Sequence, residues 1–248
     1  MAEPHPLFDL TGRRALITGG SRGLGREMAL AFAEAGADVA ISSRKAEACE
    51  AVADEVRARG RCAAALPAHA GRWDAMDALA DAAEEALGPI DLLVANAGMG
   101  PLVPSHEVSE ALFDSVVSLN FKGPFRLMAN LAQRMRARGG GTILATSSVA
   151  SLQPSPQVVP YAGAKAALNA IVVSLAHEYA PVRVNAIAAG PFLTDISKAW
   201  TEEAREQSPN ALGRPGRPEE IVSTALWLAS PASGFVTGAV VRCDGGMR

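Results

Sequence analysis

Apolar and polar positions along the chain alternate between two textures. Short runs that are apolar at most positions predict strands at Arg14–Thr18, Asp38–Ser43, Arg61–Pro67, Ile90–Asn96, Gly141–Ser147, Val182–Ala188 and Ala239–Asp244. Several are continuously apolar, as expected of strands covered on both faces. Longer stretches between them predict helices over Leu24–Ala35, Ala46–Arg59, Trp73–Leu87, Ser109–Ala137, Ala162–Tyr179 and Pro218–Ala229. Gly36, Gly60, Gly88 and Gly139 follow helix ends, and Pro218 opens the last helix. Strands and helices in this rhythm, joined by right-handed crossovers, predict an α/β fold. Its core is a doubly wound, seven-stranded parallel sheet with helices on both faces. No linker or repeat divides residues 1–248, which read as one domain.

Composition narrows the function classes. Net charge is −3 with 20% charged residues, too mild a balance to argue for nucleic acid or an acidic membrane surface. The paired arginines at Arg57–Arg61 and Arg134–Arg138 sit at predicted helix C-termini, where cations complement the helix dipole. No apolar run approaches the ~20 residues of a bilayer span. The first residues carry acids and prolines where a secretory signal would be basic and then apolar. Cys49, Cys62 and Cys243 are odd in number and lack metal-ligand spacing, which suits free thiols in a reducing compartment. The expectation is a cytoplasmic protein acting on a small molecule, with no metal.

Candidate chemistry begins after the first strand, at Thr18-Gly19-Gly20-Ser21-Arg22-Gly23-Leu24-Gly25. A strand feeding a helix through glycines turns backbone N–H groups and the positive helix end outward, and a pyrophosphate fits there. An ordinary strand–helix turn has the same look, so the end of the second strand is the next test. A carboxylate at that point would accept from a ribose 2′-hydroxyl, whereas arginine would pair with a 2′-phosphate. The chain has Ser42-Ser43-Arg44-Lys45 there, with no carboxylate, and Arg22 lies in the glycine loop. Two guanidiniums at one corner favour NADP(H), with NAD(H) as the alternative.

One of only two tyrosines, Tyr161, precedes Lys165 by four residues on a predicted helix, so the pair shares a face. A core tyrosine beside a surface lysine is the plain alternative. Thr146-Ser147-Ser148 closes the fifth strand and Asn96-Ala97-Gly98 the fourth, on the edge where doubly wound sheets bind ligands.

Taken together in this order, the motifs resemble those of the short-chain dehydrogenase/reductase family over essentially the whole chain. Thr18–Gly25 matches its T-G-x-x-x-G-x-G loop, Asn96-Ala97-Gly98 its N-A-G, and Tyr161–Lys165 its Y-x-x-x-K. Ser148 matches the family serine, thirteen residues before the tyrosine, and Asn120 the family asparagine. The resemblance implies a Rossmann-type fold in which hydride moves at a nicotinamide while Tyr161 exchanges a proton with a carbonyl or alcohol. Ser148 would bond the carbonyl oxygen, Lys165 would hold the nicotinamide ribose, and Asn120 would position a water that reloads the proton. A free phenol has a pKa near ~10. A lysine ammonium about 4–5 Å away, at an effective dielectric of ~20, favours phenolate by roughly 4 kcal/mol.

Two segments depart from the family. His69, before Ala70, stands where an aspartate usually meets adenine. After the sixth strand, Ala189-Gly190-Pro191-Phe192-Leu193-Thr194 replaces P-G-x-x-x-T, leaving Pro191, Phe192 and Thr194 to meet the nicotinamide amide and phosphates. Val241–Gly246 resembles a segment used in subunit contacts, which implies a homo-oligomer, tetramer or dimer. Met99–Ser105, Val149–Pro160 and Phe192–Arg214 should line the substrate pocket, and they show no charged clamp. The leading expectation is NADPH-dependent reduction of a ketone such as a 3-oxoacyl thioester or sugar ketone. An NAD(P)-linked polyol or sugar-acid dehydrogenase is the oxidative alternative, and an NADP(H) sensor without catalysis is the third.

Overall fold

Along β1 (Arg14–Thr18) the pleat sorts side chains between two cores: Ala15 and Ile17 enter one, and Leu16 the other. β2 (Asp38–Ser43) repeats the pattern, with Val39 and Ile41 on the first side and Ala40 on the second. Both faces being covered explains why these strands read as continuously apolar. The computed structural model describes residues 6–195, 197 and 200–248.

The remaining strands are β3 (Ala63–Pro67), β4 (Leu92–Ala95), β5 (Thr142–Ser148), β6 (Arg183–Ala189) and β7 (Val240–Cys243). All seven pair in parallel in the order β3-β2-β1-β4-β5-β6-β7. Each expected strand is present, with ends differing by one or two residues. The first core is closed by α1 (Gly23–Glu34), α2 (Ala46–Arg57) and α8 (Val222–Ala229), through residues such as Met28, Phe32, Val52 and Leu228. The second is closed by α3 (Trp73–Leu87), α5 (Gly123–Ala137) and α6 (Val159–Glu178), through Leu79, Leu131, Met135 and Leu168. The architecture is the expected Rossmann-type sheet, and its order reverses between β1 and β4. Where neighbouring crossovers leave in opposite directions a crevice opens at that switch, outside the strand C-termini.

Three elements differ from the periodicity reading. The expected helix Ser109–Ala137 is divided into α4 (Glu110–Val117), a single π-helical turn at Ser118–Lys122, and α5. Gly123 follows the turn because any Cβ there would run into the Ala70 carbonyl. A short helix, α7 (Glu202–Glu206), is capped by the Thr201 hydroxyl accepting from Ala204 N–H at 3.2 Å. α6 starts three residues earlier than expected, so Tyr161 sits in its first turn. Its 20 residues match a membrane span by length and composition alone, contrary to the expectation of no such run. The reason is its alanine-rich sequence; one face is buried in the second core through Leu168, Val172 and Leu175.

Candidate active site

The ends of β1, β4 and β5 are fastened to one another by Asn96. Its amide donates to the Thr18 and Gly19 carbonyls at 3.1 and 3.2 Å and accepts from the Thr146 hydroxyl at 3.1 Å. The Thr18 hydroxyl in turn accepts from the Asn96 and Ala97 N–H groups at 3.1 and 3.2 Å. Polar side chains thus hold three strand termini in register around the crevice, where ladder pairing has ended.

The glycine loop is built for close approach. Gly19 takes φ +65°, and a Cβ there would stand 2.9 Å from both the Ala97 Cα and the Asn96 amide nitrogen. At Gly25 a Cβ would strike the Gly19 carbonyl, so the first turn of α1 lies directly on the loop. That packing leaves backbone N–H groups at the helix N-terminus beside open space, the arrangement that suits a pyrophosphate.

A cavity of about 900 Å³ runs along the strand ends. Every site residue nominated from sequence lines it except Gly25, His69 and Asn120. Gly25 serves the packing just described. The His69 imidazole accepts from Gly71 N–H at 3.1 Å, capping its own turn, and Ala68 and Ala70 face the cavity instead. That bond occupies Nδ1 alone, and an adenine contact is open to Nε2 or to the Ala70 backbone.

Asn120 is fully buried one layer behind the cavity. Its amide nitrogen donates to the Met99 and Val116 carbonyls at 2.8 and 2.9 Å, and its oxygen accepts from Met99 N–H at 3.2 Å. Both hydrogens hold backbone, so the side chain is a positioning group for the π-helical turn and for the segment after β4. Gly98 lies between it and Lys165: a Cβ there would be 2.7 Å from the Asn120 oxygen and 3.4 Å from Lys165 Nζ.

Ser148, Tyr161 and Lys165 do converge. The Ser148 and Tyr161 hydroxyls share a hydrogen bond, and Lys165 Nζ lies 5.8 Å from the centre of the Tyr161 ring. Lys165 is 3% exposed and donates to the Thr146 carbonyl at 2.7 Å. Burial pushes the lysine down to about 8 and pushes the Tyr161 phenol up, with only the Ser148 hydrogen bond opposing the latter. This corrects the expectation that Lys165 draws the phenol toward neutrality: desolvation dominates both groups here. Ser148 is further set by Ser151, whose hydroxyl donates to the Ser148 carbonyl at 2.5 Å and accepts from the Asn169 amide at 2.8 Å.

At the far end, Ser43 closes β2, Arg44 and Lys45 follow it, and all three line the cavity. The Ser43 hydroxyl meets Cys49 Sγ at 3.1 Å. Arg22 is ion-paired to Asp195 at 2.7 Å, which bridges the glycine loop and the segment after β6. The same two segments meet where Gly23 faces the Thr194 methyl. Pro191 and Phe192 are held by pairing with Gly216, whose N–H donates to the Pro191 carbonyl at 2.8 Å. Sequence reasoning missed Lys45, Leu119 and Met247 as lining residues, while Asp195 falls within the expected Phe192–Arg214 wall. Lys45 was readable from its charge beside Arg44; the C-terminal Met247 reaches the cavity only through the fold. The residues present fit a nicotinamide dinucleotide: a tight glycine turn at one corner, cations beyond β2, and a hydroxyl pair with a buried lysine at the other corner.

The short chain dehydrogenase family model matches residues 13–205. The 7α-hydroxysteroid dehydrogenase of Escherichia coli K12 is 36% identical over 242 residues, covering 96% of this chain and 94% of that protein. Gluconate 5-dehydrogenase of Gluconobacter oxydans is 34% identical over 252 residues, covering 98% of each. Among solved structures, the 3-oxoacyl (acyl-carrier-protein) reductase of Agrobacterium tumefaciens C58 with NADP bound superposes with a TM-score of 0.91. It is 33% identical, covering 97% of this chain and 96% of its own. Matched through most of its length in sequence and in fold, the chain belongs to the short-chain dehydrogenase/reductase family, oxidoreductases acting on CH–OH groups.

Proposed function

We propose that the protein reduces a ketone with NADPH, using Tyr161 as the proton donor. The observation that carries this reading is the Ser148–Tyr161–Lys165 cluster at the strand edge, with the phenol held above its ordinary pKa by burial. A phenol that keeps its proton at neutral pH is set to give it to a carbonyl oxygen as negative charge develops there. The bound dinucleotide supplies the hydride for the carbonyl carbon. The C=O π bond breaks as a C–H bond forms with that hydride and an O–H bond forms with the proton from Tyr161.

Ser148 donates to the carbonyl oxygen and holds it within reach of the phenol. Lys165 stabilises the phenolate left behind and returns a proton to it. Arg44 and Lys45 face a 2′-phosphate, with no carboxylate beside them in the Ser42–Lys45 run to repel it. Arg22 on the glycine loop, ion-paired to Asp195, would join Arg44 at the phosphate corner of the dinucleotide.

Oxidative use on a polyol or sugar acid is the second reading, supported by the likeness to gluconate 5-dehydrogenase. Retention of both tyrosine and lysine argues against a purely sensing role. Large apolar side chains at the surface, Phe113, Val159 and Phe235 among them, support a homo-oligomer.

The experiment is nicotinamide absorbance with NADPH and then NADH across a panel of ketones and ketoses, with Tyr161→Phe as the blank. The reading predicts Tyr161-dependent consumption of NADPH in preference to NADH. Preference for NADH, or turnover surviving in Tyr161→Phe, overturns it.

A further inference from the structure

The charged side chains of the cavity are unevenly spread. Arg22, Arg44, Lys45 and Asp195 all lie at the dinucleotide end, on the glycine loop, after β2 and just after β6. Among the described residues, Lys165 is the remaining lining cation, and its ammonium is committed to the Thr146 carbonyl at 2.7 Å. The rest of the wall, which includes Tyr161, is largely apolar. It is made by Leu102 after β4, Val149 and Val158 after β5, Trp200 and Pro209 beyond β6, and Met247 at the C-terminus. The segment after β4 lies against the tyrosine itself: a Cβ on Gly100 would touch its ring at 3.4 Å. Among the described residues, Gln207 and Ser208 add polar side chains to the lining, as Thr146 and Ser147 do at the end of β5. The Ser208 hydroxyl is buried with no hydrogen-bond partner, so it offers a ligand one neutral hydrogen bond and no charge.

We propose that the substrate is a bulky, neutral, apolar ketone, or its secondary alcohol, rather than a sugar or sugar acid. The inference rests on the reductase reading above and narrows it. A carboxylate brought against this wall would lose its hydration with no free countercharge among the described residues to meet it. Each hydroxyl of a ketose would likewise exchange water for a methyl, an indole or a proline ring. A fused-ring or long-chain ketone instead removes its own surface and that of Leu102, Val158 and Trp200 from water together. The half-exposed state of Leu102 matters here, because an apolar side chain at a cavity mouth is stabilised by an apolar occupant. Relatives of nearly equal identity are named for a hydroxysteroid and for gluconate, so identity does not choose between them. The wall does.

The test compares a fused-ring ketone such as decalone with a keto-sugar acid and a ketose, all with NADPH. The expected result is a kcat/KM for decalone at least ~100-fold above that for either polar ketone. Leu102→Arg puts a cation into the apolar half and is expected to lower that ratio about tenfold or more, chiefly through KM. Retained NADPH binding shows that this variant is folded. Faster turnover of the keto-sugar acid or ketose overturns the substrate class while leaving the reductase reading intact. Absence of Tyr161-dependent turnover with any ketone removes the reductase reading. The substrate class then stands or falls on calorimetric binding of the same compounds to NADPH-loaded Tyr161→Phe. Tighter binding of decalone supports it, and equal or tighter binding of the keto-sugar acid overturns it.

Discussion

Lys165 Nζ donates to the Thr146 carbonyl at 2.7 Å while standing 5.8 Å from the centre of the Tyr161 ring. One buried ammonium thereby ties the fifth strand to the helix that carries the tyrosine. Its burial is costly, which is why its pKa falls from 10.5 to about 8. In the unfolded chain the lysine stays protonated to higher pH, so between about 8 and 10.5 the unfolded state holds more protons. Stability should therefore rise with pH in that window, by an amount on the order of 3 kcal/mol if the whole shift is expressed. Tyr161, with its pKa raised, acts oppositely only above its ordinary value of 10. Denaturant unfolding between pH 7.5 and about 9.5 should show the rise in the wild type and its absence in Lys165→Met.

The same two groups predict opposite pH profiles for the two directions. Reduction needs the phenol protonated and the lysine charged, so its rate should hold near neutrality and fall as Lys165 deprotonates at about 8. Oxidation needs the phenol to lose its proton and should climb with pH. Lys165→Arg keeps a charge at all accessible pH, and should carry the reductive limb upward out of range. An unchanged limb in that variant would detach it from Lys165.

Arg44 supplies the charge for a 2′-phosphate. Charge-assisted hydrogen bonds contribute about 1.5–3 kcal/mol, so Arg44→Asp should weaken NADPH roughly 10- to 100-fold. NADH should change little or bind better, since an aspartate can accept from a 2′-hydroxyl. Fluorescence titration of both cofactors checks the ratio.

Gly25 has no room for a methyl group, because its Cβ would meet the Gly19 carbonyl and stand 2.5 Å from the Asn96 amide nitrogen. Both neighbours belong to the fastening between β1 and β4. Gly25→Ala should cost about 1–3 kcal/mol of stability, as overpacking does, and weaken cofactor binding as the loop shifts. Thermal unfolding with and without NADPH separates the two effects.

Legibility in the sequence followed the physics of each level. The seven strands and the sheet were readable because burial on both faces leaves a simple apolar signature, as in Arg14–Thr18 and Asp38–Ser43. The Tyr161–Lys165 pair was readable from helical spacing, and Ser148 was singled out from its neighbour Ser147 by resemblance to the family spacing. The break in Ser109–Ala137 has a local signal in Gly123-Pro124, which the apolar periodicity of the stretch masks. The contacts of Asn120 and Gly123 with Met99 and the Ala70 carbonyl come from distant segments. His69 shows the same limit: sequence position puts it near the adenine side, and the bond of its Nδ1 with the Gly71 N–H appears only in the fold. Arg22 was read as a phosphate ligand from its place in the glycine loop, and the fold adds a partner, Asp195, from far along the chain.

The central claim is that Tyr161 delivers the proton during carbonyl reduction. Single-turnover oxidation of bound NADPH by the wild type and by Tyr161→Phe, with NADPH affinity measured on the same samples, tests it directly. The account predicts a loss of at least ~100-fold in rate with affinity essentially unchanged. A Tyr161→Phe protein that binds NADPH and oxidises it at the wild-type rate would contradict it.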